Sequence, residues 1–386
     1  YFWARSTNVR FCEAKKSKTM LENWLTPVSE ALCTLAEENE ARMGAHLHIH
    51  ADGIPDLKKV KLAVLGIGAE EADAVRERLY RLSWPHKHLE VADLGNARRQ
   101  EPDFIAPLIM ELLQSNICPL IIGREERLLQ GQFAAHHGWQ KSVSLALVDE
   151  KLALNPQNPA DSSSYLNELL MSKKKLFHFT AVGLQAHFLD ESVERYANER
   201  HFDRLHLGPL REDIHVSEPY IRDADLVAFN LSALKRIEAP GVLQASPAGL
   251  FSEEACQIAR YAGVSDKLQS IGFYGYRNEA DPAGHTAAVI AQLIWYFIGG
   301  FADRKNDFPV SMDGLMEYII PIKKYDYQLT FWKSSKSGRW WLQVPVNIGK
   351  GQKRHRLIPC DYKDYLSASK GELPDRFLKA FRRFDP

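Results

Sequence analysis

The stretch LVAFNLSALKRIEAPGVLQASPAG, residues 226–249, decides how the chain is read. Its first four residues are apolar, which suits a strand covered on both faces. Polarity enters at Asn230 and Ser232, and Pro240-Gly241 breaks the element. The polar pair therefore sits at the C-terminal tip of a strand. In a parallel sheet the crevice over such tips is where ligands bind, and residues two apart point to one side of it.

Outward from this strand the chain alternates between strand and helix. Residues 61–68 (KLAVLGIG), 89–95, 119–123 and 143–149 (VSLALVD) read as strands, with weaker ones at 177–184 and 204–207 and a last one at 270–276. Helical spacing fills 69–82, 103–114, 125–139, 252–261 and 286–301. Strands separated by helix-length segments predict a parallel sheet with helices on both faces. The expected class is α/β: a three-layer α/β/α sandwich around a sheet of about eight mostly parallel strands, spanning residues 60–302.

The 386 residues carry 49 Lys and Arg against 49 Asp and Glu, so no global charge directs the chain to nucleic acid or an anionic membrane. The balance is uneven. Residues 301–386 hold 17 basic and 10 acidic side chains, a net +7 that leaves −7 on the remainder, and a basic tail on an acidic body points to a partner or to docking of one on the other. Cys12, Cys33, Cys118, Cys256 and Cys360 are scattered and lack a CxxC pair, which predicts reduced thiols in a cytoplasmic protein. No membrane span is expected, because the longest apolar run, 287–301, is interrupted by Gln292 and ends in Gly299-Gly300. Residues 1–19 are basic without an apolar core and are expected to be a disordered leader; residues 20–59 are expected to dock as one or two helices.

Two short motifs invite a ligand. His46, His48 and His50 alternate on one face of a possible strand, where imidazoles could converge on a transition metal, yet no carboxylate or thiol is in step with them. An exposed polar face is expected instead. Gly66-Ile67-Gly68 has the look of a dinucleotide turn but lacks the third glycine, and Glu70 and Glu71 would repel a pyrophosphate.

The spacing from Asn230 and Ser232 through Pro240-Gly241 to Gly249 resembles the signature of the ureohydrolase family (arginase, agmatinase, formimidoylglutamase), in which Asp-x-Asp occupies the polar pair. The resemblance covers about residues 60–302. It implies the arginase fold, two manganese ions on six ligands, and hydrolysis of a guanidino or formimino compound to urea or formamide plus an amine. Carried along the chain, it places Glu125 where the family has a histidine and matches Asp149 to the first residue of Asp-x-His-x-Asp. Lys151 then replaces that histidine, Ala153 the second aspartate, and Asn230 and Ser232 the last pair. The family's substrate-binding glutamate has no counterpart in step, Glu279 being nearby, whereas residues 281–287 (DPAGHTA) resemble its last turn and helix start.

A binuclear manganese site needs anionic oxygens and neutral imidazoles, both to offset four positive charges and to lower the pKa of a bridging water. Of the six implied ligands only Asp149 is unchanged. The expectation is therefore a catalytically silent arginase-fold protein without a metal cofactor, acting by binding or assembly, in which Lys151 pairs with Asp149 or Glu125 inside the old cavity. The alternative is a formimidoylglutamase-like hydrolase of amidine C–N bonds with a remodelled site on Asp149 and Glu125.

From residue 310 to 386 the pattern changes. Residues 325–333 and 339–346 alternate as a hairpin, 354–359 reads as a third strand, and helices are expected at 362–368 and 374–384. Trp332, Trp340 and Trp341 interleave with lysines and arginines, a composition that can stack single-stranded nucleic acid. An isolated hairpin is marginal in water, however, so these rings are expected to cover a surface of the body or of another chain. A protein partner or a homo-oligomer through this module is expected, with no membrane and no nucleic acid. The module is similar to the tail of a divergent formimidoylglutamase-like branch found in Bacteroidota.

Overall fold

Side chains along residues 62–67 go alternately to two separate cores. Leu62 and Val64 join Ala72, Val75 and Leu79, whereas Ala63, Leu65 and Ile67 join Ile105, Leu108 and Leu112. The same division holds at residues 226–229, with Val227 and Phe229 on one side and Leu226 and Ala228 on the other. A sheet buried on both faces needs apolar residues at every position, which is why its strands read as continuous runs.

The computed structural model describes residues 20–139, 142–171, 176–309, 311–347 and 353–384. The leader expected at 1–19 lies outside the described residues. In chain order the strands are β1 (Leu25–Thr26), β2 (Leu47–Ile49), β3 (Leu62–Ile67), β4 (Val91–Ala97), β5 (Cys118–Gly123), β6 (Val143–Val148) and β7 (Leu176–Leu184). They continue with β8 (Asp203–His206), β9 (Leu226–Asn230), β10 (Ser270–Tyr274), β11 (Leu315–Ile322), β12 (Tyr327–Ser334), β13 (Trp340–Asn347) and β14 (Lys353–Cys360).

Among the described residues the main sheet has ten strands. Eight run parallel in the order β4-β3-β5-β10-β9-β6-β7-β8, and both β2 (parallel) and β1 (antiparallel) pair with β4. Because β9 and β10 insert last, between β5 and β6, the C-terminal tips of four strands far apart in sequence meet at mid-sheet. Helices Ala69–Leu79, Ser252–Val264 and His285–Ala302 cover one face; Pro102–Gln114, Leu129–Trp139, Leu166–Leu170 and Glu191–Glu199 cover the other.

The N-terminal segment differs from its expected helices. It forms a 3₁₀ turn, β1, the helix Glu30–Glu37 and β2, so two extra strands extend the sheet. The histidine row does not converge: His46 donates to the Glu40 carbonyl at 2.8 Å, His48 meets Glu90 at 2.6 Å, and His50 is buried against the Leu94 carbonyl at 3.0 Å. The Gly66–Gly68 turn serves packing. A Cβ on Gly66 would fall 2.0 Å from Asn96 Oδ1, and Gly68 has φ +107°. The helix His285–Ala302 is long and apolar enough to cross a membrane, contrary to the sequence reading, but Val289, Ile290, Leu293, Ile294 and Phe297 are buried in the core.

The C-terminal module is an antiparallel sheet, β11-β12-β13-β14, backed by helices Tyr362–Ser369 and Asp375–Phe384. Strand β11 was not legible in sequence. Its Pro321 breaks the apparent pattern, yet at the sheet edge a missing N–H costs little. The module docks on the body through Arg222, whose guanidinium donates to the carbonyls of Trp340 and Cys360 at 3.2 Å each and lies 4.8 Å from the Trp341 ring centre. Trp341 is 1% exposed. Around it Lys363 pairs with Asp213 at 2.5 Å, Lys379 with Asp203 at 3.6 Å, and Arg376 stacks over Tyr220 at 4.0 Å. Basic module thus meets acidic body, and Trp340 and Trp341 are buried rather than available to stack bases.

Arg222→Ala is expected to cost roughly 3 kcal/mol, because two buried carbonyls lose their donor and Trp341 its cation. Urea denaturation of the full chain measures this. A loss below about 0.5 kcal/mol, the level of an ordinary surface change, would contradict the docking described.

Candidate functional site

At the meeting of β5, β6, β9 and β10 the chain opens a cleft of about 260 Å³. Each strand sends its first residues beyond the sheet into it. Glu126 follows β5; Asp149, Glu150, Lys151 and Ala153 follow β6; Ser232 follows β9; Gly275 and Arg277 follow β10. Ser163 and Tyr165 close one side and Val242, Leu243 and Gln244 another. Asn230, the last residue of β9, lies fully buried beneath this rim.

Asp149 is the centre of the arrangement. Its Oδ2 accepts from Asn230 Nδ2 at 2.6 Å and its Oδ1 from Ser232 Oγ at 2.8 Å, while the Lys151 amide approaches Oδ1 at 3.4 Å. The Asn230 amide nitrogen also donates to the Tyr165 hydroxyl at 2.6 Å, and that hydroxyl lies 3.4 Å from Asp149 Oδ2. Burial raises the Asp149 pKa, and the Asn230 and Ser232 hydrogen bonds oppose it. Burial likewise drives the Tyr165 phenol well above its ordinary range, with the Asp149 charge adding to it. The carboxylate is thus satisfied by neutral donors.

Two further carboxyl groups share the cleft. Glu150 is 1% exposed, within 3.4 Å of Gln185 Nε2, and is pushed up to about 7 by burial first and by the Asp149 charge second, with Lys151 opposing. Glu126 is raised too, by burial foremost, with Asp149 and Glu125 adding and Arg277 opposing. A carboxyl that changes protonation near neutrality can donate or accept a proton there.

The sequence-derived positions separate into those the structure gathers and those it does not. Asp149, Asn230 and Ser232 are in mutual contact, and Lys151 and Ala153 line the same cleft. Glu125 does not enter it. Its backbone is extended (φ −109°, ψ 135°), so it and Glu126 project to opposite sides, and Glu126 takes the cleft position while Glu125 pairs with Arg277 at 2.8 Å. The ion pair expected for Lys151 is also absent: among the described residues no salt bridge joins it to Asp149 or Glu125. Both Asp149 oxygens already accept from side chains below, which leaves the half-buried lysine facing the cleft and Glu150. Glu279 pairs with Arg124, with Nη1 at 2.9 Å. Sequence reasoning missed Glu126, Glu150, Tyr165 and Arg277. Adjacency to Asp149 could have flagged Glu150, whereas Tyr165 comes from an aperiodic loop.

This donor set does not fit a binuclear manganese centre. The cleft lining contains no imidazole, Ala153 has no donor atom, Lys151 brings a cation, and Asn230 turns its amide nitrogen toward Asp149. Among the described residues no group of three His, Cys, Asp or Glu side chains is arranged to hold a metal ion.

No protein-family model matches the chain. Formimidoylglutamase of Staphylococcus aureus is 20% identical over 250 residues, covering 60% of this chain and 79% of the relative. Formiminoglutamase of Trypanosoma cruzi, crystallised with Mn2+, superposes with a TM-score of 0.58 at 18% identity, covering 64% of this chain and 96% of that one. Agmatine ureohydrolase of Thermoplasma volcanium gives 0.51 at 14%, covering 65% and 92%. The chain has the fold of the ureohydrolase, or arginase, superfamily.

Two outcomes follow from the electrostatics. The carboxyl of Glu150 moves from an ordinary 4.5 to about 7 on folding, so the folded state holds more protons between those values. Its contribution to stability is complete below pH ~4.5 and is lost as pH rises through ~7, a decline of about 3 kcal/mol. Glu150→Gln should remove that decline from a pH series of urea midpoints; an unchanged pH profile would show Glu150 ionising freely. Asn230→Asp, isosteric, sets a second carboxylate against buried Asp149 and is expected to destabilise the chain by roughly 3 kcal/mol at pH 7, less in acid.

Proposed function

We propose that this chain is an arginase-fold protein that has given up binuclear manganese hydrolysis and uses the same cleft to bind a small organic cation, in a cytoplasmic binding or assembly role. The observation that carries this reading is the state of Asp149: its two oxygens are held by Asn230 and Ser232, which occupy the positions where the family signature has aspartates. What remains above it is acidic. Glu126, Asp149 and Glu150 outnumber Lys151, and Arg277 is already paired with Glu125, so the cleft favours a positively charged group.

A second reading has one observation in its favour. Glu150, poised near neutrality beside the cleft, is placed as a general acid or base for hydrolysing an amidine C–N bond in a remodelled formimidoylglutamase-like site. One experiment separates the two. Full-length protein is purified without chelator, supplied with MnCl2, and assayed for bound manganese and for turnover of arginine, agmatine and formiminoglutamate. The expected result is well under one manganese per chain, no turnover above the buffer blank, and saturable calorimetric binding of agmatine that Asp149→Asn weakens about tenfold. Two bound manganese ions, or turnover lost in Glu150→Gln, would replace this reading with the hydrolase.

A further inference from the structure

The two edges of the C-terminal sheet differ in kind. Strand β14 opens Lys353-Arg354-His355-Arg356, and a row of charges deters another strand from pairing. Strand β11, at the other edge, reads LMEYIIPI with Glu317 as its one charge. All eight of its residues are in register with β12 on one side, Leu315 with Ser334 through Ile322 with Tyr327, and among the described residues no strand pairs with the other side. Met316 and Ile319 are 44% and 52% exposed, and exposed Met312 and Tyr325 flank the strand. A long, apolar edge with a single charge is a template for strand addition.

The charges just beyond this strand indicate what fits it. Asp313 precedes β11, and Lys323 and Lys324 follow it. If a second copy of β11 lies antiparallel about a two-fold axis through Tyr318, so that opposed residues share one face of the sheet, Lys323 of each copy comes opposite Asp313 of the other, with Lys324 beside it. Glu317 then faces Ile319 rather than its own counterpart, so no like charges oppose each other. Pro321, which lacks an N–H, removes one donor near each end and leaves the central residues to pair.

We propose that β11 is a homodimerisation edge, through which two copies join their four-stranded sheets into one continuous eight-stranded sheet, with Asp313 and the Lys323-Lys324 pair setting the antiparallel register. The interface is isologous, and it leaves the cleft at the tips of β5, β6, β9 and β10 untouched.

Analytical ultracentrifugation of the full chain tests this. Wild type is expected to sediment as a concentration-dependent dimer. Asp313→Lys alone and the double change Lys323→Glu with Lys324→Glu alone each place like charges at both ends of the interface and should weaken dimerisation at least about tenfold. An equimolar mixture of the two variants restores opposite charges at both ends and should form a heterodimer. All three substitutions are on the surface, so each variant's urea midpoint should match wild type and exclude misfolding as the cause. A monomeric wild type at the highest concentration reached, or two variants that self-associate like wild type and show no preference for each other, would overturn the proposal.

Discussion

A carboxylate buried at the centre of a parallel sheet must be neutralised, and how that is done fixes what the surrounding site can be. Here Asp149 lies at the tip of β6, beneath a cleft, and is held by an amide and a hydroxyl from β9 and the turn after it. The pairing of β6 with β9, Val148 beside Phe229, brings the two strand tips into reach. The neutral clamp has consequences outward. Burial raises the pKa of Glu150 and Glu126 and the charge of Asp149, clamped by neutral groups, adds to it, so the cleft becomes acidic and responsive to protons near neutrality.

The fold makes the clamp possible without depending on its chemistry. Two hydrophobic layers hold the sheet, and the helices over them come from sequence that carries none of the cleft residues apart from short connections. A superfamily architecture can therefore persist while the groups at its strand tips change, since stability resides in the layers and function in the loops. The C-terminal module adds a third core, joined to the body by Arg222 under Trp341, by Lys363 and Lys379 on Asp213 and Asp203, and by Arg376 over Tyr220. That contact gives the opposite charges of tail and body a physical place.

Much of this was legible in sequence because it rests on periodicity and spacing. Continuous apolar runs announced the buried parallel strands, and the interval from Asn230 to Gly249 announced the strand tip and its resemblance. The parts that were not legible depend on partners distant in sequence. Glu125 and Glu126 are adjacent, and only the extended backbone at Glu125 decides which enters the cleft. Lys151 could be expected to pair with Asp149 only while the hydrogen bonds from Asn230 and Ser232 were unknown. Strand β1 has two residues, too few to carry a period, and β11 shows itself by pairing with β12.

The central claim is that neutral side chains, not metal ions, satisfy Asp149. It is tested most directly by a crystal structure of the full chain grown in excess MnCl2, with data collected at the manganese absorption edge. The account predicts no anomalous peak in the cleft and Asn230 and Ser232 still within hydrogen-bond distance of Asp149. A peak ligated by Asp149, with Asn230 turned away from it, would contradict the account.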